Sequence, residues 1–223
     1  MRSVPGTTTV VDAVAVALRD RLLDGLLPPG HVLRDTVLAD EFGVARPTVR
    51  AAVQVLVNDG LVQRDRGRSA RVPVFSAADI ADLYTARAAV EVAAVDLIER
   101  NAVSAPPSLT DSLDRLQALG AGAGASWRHV VDADVEFHAS LVAAAASPRL
   151  SRLFDGLANE TRLVIALQRE LYESVEDLVN EHRRILDALR RRRFDTCRRL
   201  LREHFDLSVA ALSGTGEPHQ EIS

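Results

Sequence analysis

Asp134 and His138 stand four residues apart in the segment DVEFH, so in a helix they project from one face, shared with Val131, Leu141 and Val142. His182 lies on a stripe with Leu178, Ile185 and Leu189, and His204 on one with Leu200, Leu201, Leu207 and Ala211. Three helical stretches thus each carry a metal-competent side chain within an apolar face. A lone imidazole in that setting is ordinarily a neutral, hydrogen-bonded core residue. An inward carboxylate is harder to place, because burying it unpaired costs several kcal/mol or forces it to take up a proton. One carboxylate and three imidazoles gathered together would resolve both problems by holding a divalent cation. Zn, Ni, Mn and Fe all suit such a nitrogen and oxygen set, and the residues alone do not choose among them. Around a six-coordinate ion, four protein ligands leave about two positions open, which a small carboxylate can fill by displacing water.

A further polar pair, Arg87 and Glu91, shares a face with Ile80, Tyr84 and Ala94. It reads either as an i,i+4 ion pair worth a few tenths of a kcal/mol or as an inward guanidinium that clamps an anionic ligand. His31, His129 and His219 are poorer ligand candidates, His129 being nine residues from His138 and so on the other side of the helix. Glu136 and Glu181 neighbour the candidate ligands and could act as bases, but their positions point off the metal face.

Chemistry of another kind is written between Leu38 and Val72. Leu38, Ala39, Phe42, Val44, Val49, Val53, Leu56 and Leu61 space two short helices about a turn at Gly43. Arg46, Thr48 and Arg50 fall on the solvent side of the second helix's first turns, the part that enters the major groove in a DNA-reading helix. Arg64, Arg66, Arg68 and Arg71 crowd a hairpin whose tip is Arg66-Gly67, suited to lie against phosphates or in the minor groove. From Arg46 to Arg71 six arginines face two acids, whereas the whole chain has a net charge of −4. Positive charge concentrated on one segment of an acidic protein is the footprint of phosphate contact.

These groups need elements to position them. The 223 residues suit two domains. Up to Phe75 there are ten arginines and eight acids; the remainder holds seventeen and twenty-three. All cations are Arg, a compositional bias without functional content. A single cysteine, Cys197, excludes an internal disulfide and suits a reducing compartment. With no signal-peptide layout and no membrane-length apolar run, the expectation is a cytoplasmic protein without a membrane partner.

Periodicity predicts a disordered stretch over residues 1–9, a helix over Val10 to Leu26, the helix pair over Asp35 to Phe42 and Pro47 to Asn58, and wing strands over Leu61 to Arg64 and Arg71 to Val74. Six amphipathic helices then follow: from Ser76 to about Asn101, Pro106 to Leu119, Ser126 (as cap) to Ala146, Ser147 to Leu171, Ser174 to Arg193, and Asp195 to Leu212. A flexible Gly120–Gly124 joint separates the second and third, and the tail from Ser213 reads as disordered. The expected fold is mostly α: a winged helix-turn-helix over 10–75 and an antiparallel six-helix bundle over 76–212.

With LPPG at 27–30, LADEFGVARPTVR at 38–50, NDGLV at 58–62, RAAVE at 87–91, DVEFH at 134–138, His182 before RRILDALRRRRFD and REHF at 202–205, the chain resembles the GntR-family transcription regulators of the FadR-like subfamily, whose C-terminal helical effector domain is called FCD. The six-helix count resembles the VanR-type branch. The resemblance implies DNA contact by Arg46, Arg50 and Arg66-Gly67, to which the spacing adds Thr48 and Arg68. It also implies a metal on Asp134, His138, His182 and His204, with zinc foremost, and a homodimer on palindromic double-stranded operator DNA. Most such regulators are repressors released by a small organic acid, and Arg87 is the expected anchor for that carboxylate. Thr36 and Ala45 depart from the operator-contact pattern of relatives, and Ser147 replaces an Asn near the pocket. Two alternatives stand beside this reading: a metal-dependent hydrolase or lyase fused to a DNA-binding module, and a regulator whose metal is purely structural.

Overall fold

The computed structural model describes residues 9–64, 69–121, 126–167 and 174–213, and the chain divides into two compact units, Met1–Val74 and Phe75–Ser223. The first contains α1 (Val10–Leu23), β1 (Val32–Leu33), α2 (Asp35–Phe42), α3 (Arg46–Asn58) and β2 (Ala70–Arg71). A capping box starts α1: Thr9 Oγ1 accepts from the Asp12 N–H and Asp12 returns the bond to the Thr9 N–H. The helix stops at Leu23, three residues before the expected end. Gly25 turns left-handed (φ 71°), and the Leu26 N–H bonds back to the Arg21 carbonyl. Leu18 and Leu22 of α1 meet Val49, Ala52, Val53 and Leu56 of α3 in a core with no solvent exposure.

The wing departs from expectation. Ala70–Arg71 pairs antiparallel with Val32–Leu33, a stretch that carries too short an alternation to signal a strand. Leu61 to Arg64 contributes only a bridge at Gln63, whose N–H and carbonyl exchange hydrogen bonds of 2.9 Å with Arg71. The segment around Ala70 has two edges, and the chain after the Pro28-Pro29-Gly30 turn takes one: Val72 N–H donates to His31 and Gly30 N–H to Val72. Asp65, Arg66, Gly67 and Arg68 at the expected tip lie outside the described residues.

In the second unit the described residues form α4 (Ala77–Arg100), α5 (Pro107–Ala121), α6 (Trp127–Ala144), α7 (Pro148–Leu167), α8 (Val175–Arg190) and α9 (Phe194–Leu212). Together with the first unit this is a mostly helical protein with one small sheet, as its periodicity predicts. Helix α4 opens on a Ser76/Asp79 capping box and packs on α6, α7 and α9. Helix α5 lies on α6 and α8, and α8 on α9. Ser126 occupies the position before α6, but its side chain makes no capping bond. Helix α8 ends at Arg190, short of Arg193, where Arg192 turns left-handed (φ 55°) and the Arg193 N–H bonds to the Ala188 carbonyl. Arg198 ties α9 to the end of α4 by reaching Asp96 at 2.8 Å and Glu99 at 2.7 Å. Gly120 and Ala121 are still helical, and residues 122–124 of the expected joint, the end of the fourth bundle helix beyond Leu167, and the segments 1–8 and 214–223 lie outside the described residues.

Two measurements probe this packing. Gly43 closes α2 at φ 63° with open space where a Cβ would stand. Gly43→Ala should therefore destabilise the first unit by about 1 kcal/mol through the backbone alone, read as a lower urea midpoint at unchanged m-value. Burial pushes the Cys197 thiol up to about 12, so a disulfide reagent at neutral pH should modify it only as fast as the bundle unfolds.

Candidate metal centre and nucleic-acid interface

Helix α6 presents Asp134 and His138 one turn apart, α8 presents His182 and α9 presents His204, all four buried. One ligand atom from each lies within 4.8 Å of all the others. What orients the rings is the far nitrogen of each. His182 Nδ1 donates to the Leu178 carbonyl at 2.7 Å, His138 Nδ1 to Glu91 Oε2 at 2.5 Å, and His204 Nδ1 to Glu181 Oε2 at 2.6 Å. With the proton committed to Nδ1, each Nε2 is left as a bare lone pair. Burial, reinforced by Arg87, pushes His138 well below the usual imidazole range, and burial lowers His204 against the pull of its hydrogen bond to Glu181.

Those lone pairs have nowhere comfortable to go. His138 Nε2 and His182 Nε2 are 3.2 Å apart, and Asp134 Oδ1 is 3.1 Å from His182 Nε2 and 4.0 Å from His138 Nε2. Asp134 Oδ1 is buried without a hydrogen-bond donor. Burial works against the charge on Asp134, and the Arg87 guanidinium works for it. Electron-rich atoms facing one another without a proton between them repel, and a cation reverses the sign. Two nitrogens sharing a zinc at about 2.0–2.1 Å stand roughly 3 Å apart, matching the closest pair. The 4.8 Å spread of the set slightly exceeds the roughly 4.2 Å that two such bonds span, so a small inward closure completes the shell. The donor set therefore fits a divalent transition metal.

Arg87 is also buried, its guanidinium packed over Tyr84 (5.1 Å) and Phe205 (4.9 Å). Its Nε donates to Glu91 Oε1 at 3.2 Å, and its Nη2 is ion-paired with the same oxygen at 3.2 Å without hydrogen-bond geometry. Burial works against its charge, but Glu91, Tyr84 and Asp134 hold it firmly protonated. Glu91 in turn is pushed up to about 7 by burial, with Arg87 pulling the other way. A buried guanidinium has the charge and the planar donor set that suit a carboxylate.

Two carboxylates have roles that local spacing does not show. Glu181, expected off the metal face, accepts from His204 and so belongs to the site's supporting layer. Glu91, read only as a partner of Arg87, also reaches His138, a contact between helices 47 residues apart in sequence that no local spacing reveals. Glu136 does point away and pairs with Arg115 at 2.6 Å.

On α3, Arg46 and Arg50 are exposed and Thr48 half-buried. Arg50 Nε donates to Asp35 Oδ2, at the start of α2, over 2.7 Å. Arg64 reaches Gln54 on the same helix at 3.4 Å. Arg66, Gly67 and Arg68 lie outside the described residues.

Comparison with known proteins agrees with this division. The family described as "FCD domain" matches residues 82–207, and "Bacterial regulatory proteins, gntR family" matches residues 10–72. The HTH-type transcriptional regulator YdhC of Bacillus subtilis (strain 168) is 23% identical, over 85% of this chain and 84% of its own length. The gluconate operon transcriptional repressor of Bacillus licheniformis is 24% identical, over 86% and 81% respectively. A solved GntR structure from Rhodococcus sp. RHA1 superposes with a TM-score of 0.76 at 29% identity, covering 93% of this chain and 99% of that one.

If the cluster binds a cation, zinc should raise the thermal midpoint of the metal-stripped protein by several degrees, as a native-state ligand must. His182→Ala should abolish that gain. An equal midpoint with and without zinc in the wild-type protein counts against the site.

Proposed function

The chain belongs to the gntR family of bacterial regulatory proteins and carries their FCD domain, and on that footing we propose a cytoplasmic, dimeric repressor whose hold on operator DNA is set by a small organic acid bound beside Asp134, His138, His182 and His204. It is a transcription regulator, and the relatives are regulators throughout, so the hydrolase or lyase alternative loses its footing. The reading assigns DNA binding to residues 10–75, and effector sensing and dimerisation to 76–212. Its six described bundle helices are consistent with the VanR-type branch. Among the described residues no helix is long and apolar enough to cross a membrane.

The observation that carries the sensing half is the convergence of four metal-competent atoms within 4.8 Å, with the buried Arg87 guanidinium beside them. Asp134 and the three imidazoles would hold the cation, with zinc foremost; when bound it supplies positive charge and open positions to a carboxylate. Arg87 would grip the acid's other oxygens. The void lined by Trp127, Val130, Val131, Asp134, Ile165 and Leu178 measures about 160 Å³ and is too narrow to admit a water molecule. An acid entering through this void would have to move packed helices, and a ligand that favours the moved state would shift DNA affinity by its differential binding, about 1–3 kcal/mol. The same closed packing favours one rival, a metal that serves stability alone. In that case chelation would lower the melting temperature without altering how any acid affects DNA binding.

For the DNA half, the support is the exposed N-terminal face of α3, with Arg46, Thr48 and Arg50, ahead of the arginine-rich segment that includes Arg66, Gly67 and Arg68. Two such helices in a dimer would read half-sites about one DNA turn, roughly 34 Å, apart. Binding to the duplex upstream of the protein's own gene, followed by fluorescence anisotropy over a salt series, tests this. Arg46→Ala and Arg50→Ala should each weaken binding and reduce the salt slope by about 1. Unchanged affinity and slope in both would sink the DNA assignment. The same assay with zinc and a panel of small acids, gluconate included because one relative represses a gluconate operon, tests the sensing half.

A further inference from the structure

Of the three groups that steer the imidazoles, one does a second thing. The Leu178 carbonyl serves His182 alone, and Glu181, about a quarter exposed, meets only His204 among the described contacts. Glu91 is fully buried and used at both ends: Oε2 accepts from His138 Nδ1 at 2.5 Å, while Oε1 accepts from Arg87 Nε at 3.2 Å. Only a carboxylate offers an acceptor at each end; an amide of the same shape offers one oxygen and one NH₂.

We infer that Glu91 is a positioning residue that aligns His138 for the cation and Arg87 for the acid with a single side chain, so that the two halves of the sensing site share one support. The inference rests on the metal-and-acid reading above. Glu91 itself touches neither ligand. It fixes which nitrogen of His138 is bare, and it holds the guanidinium against the adjoining rings of Tyr84 and Phe205. Glu181, supporting an imidazole without touching Arg87, is the built-in control.

The experiment uses the full-length protein with Zn²⁺ and acetate as probes. Chelator competition gives zinc affinity, and titration of the zinc-saturated protein gives acetate affinity. Glu91→Gln should weaken zinc by about 10–100-fold, the usual cost of losing a partner behind a metal-bound imidazole. It should also weaken acetate by about tenfold, because an amide at this position cannot satisfy His138 and Arg87 together. Glu181→Gln should weaken zinc in the same range and leave acetate unchanged. Wild-type affinity for either probe in Glu91→Gln, or an equal acetate loss in Glu181→Gln, overturns the inference. A wild-type protein that takes up no zinc, or that ignores acetate once loaded, brings down the underlying reading and this inference with it. Should Glu91→Gln fail to fold, histidine ¹⁵N spectra of the metal-free wild type decide: the Nδ1–H tautomer at His138 is expected, and the Nε2–H tautomer overturns the inference.

Discussion

Three imidazoles each give their only proton to an oxygen facing away from the others, so three lone pairs and a carboxylate meet in a dry interior. That arrangement is unfavourable by itself, and the rest of the second unit exists around it. The oxygens come from α4 and α8, the rings from α6, α8 and α9. Sliding any one of these helices by a turn would strand a buried polar group without a partner, at a cost comparable to a large share of a domain's net stability. The packing of the bundle and the chemistry of the site are therefore one constraint. Apolar neighbours such as Phe137, in edge contact with both His138 and His182, exclude water and keep the local dielectric low. In such surroundings the attraction between a bound cation and Asp134 is strong, and so is the repulsion that its absence leaves behind.

How much of this was legible in the residues depends on the range of the interaction. Asp134 and His138 announce themselves because a four-residue spacing in a helix is local geometry. His182 and His204 are visible as polar breaks in otherwise apolar stripes. Their meeting is a tertiary fact, and it was the cost of burying Asp134 alone that made a shared site the economical reading. Glu91 and Glu181 escaped because nothing in their own helices distinguishes a carboxylate that faces an imidazole from one that faces water. Glu91 had a satisfactory partner one turn away, which concealed its second.

The first unit shows the same division. Helix positions followed from apolar spacing and from Gly43, whereas the small sheet did not. A two-residue strand such as Val32–Leu33 has no room for a period, and its existence is decided by backbone groups seeking partners along Ala70–Val72. Helix ends were mistaken where a left-handed residue closed the turn early, as at Gly25 and Arg192. The arginine at 192 gives no warning, since a residue with a Cβ seldom adopts that conformation.

Arg50, on the face expected to read DNA, is already engaged by Asp35. A duplex that recruits this arginine must take it from an anion of the same domain, in a largely exposed pair at 2.7 Å that is worth at most about 1 kcal/mol. A guanine edge offers the same planar group two acceptors, and a phosphate offers it charge as well. Any contact to this arginine would then have to be worth more than the pair it breaks. Selectivity in a protein with so many arginines can then arise from an acid placed to restrain one of them.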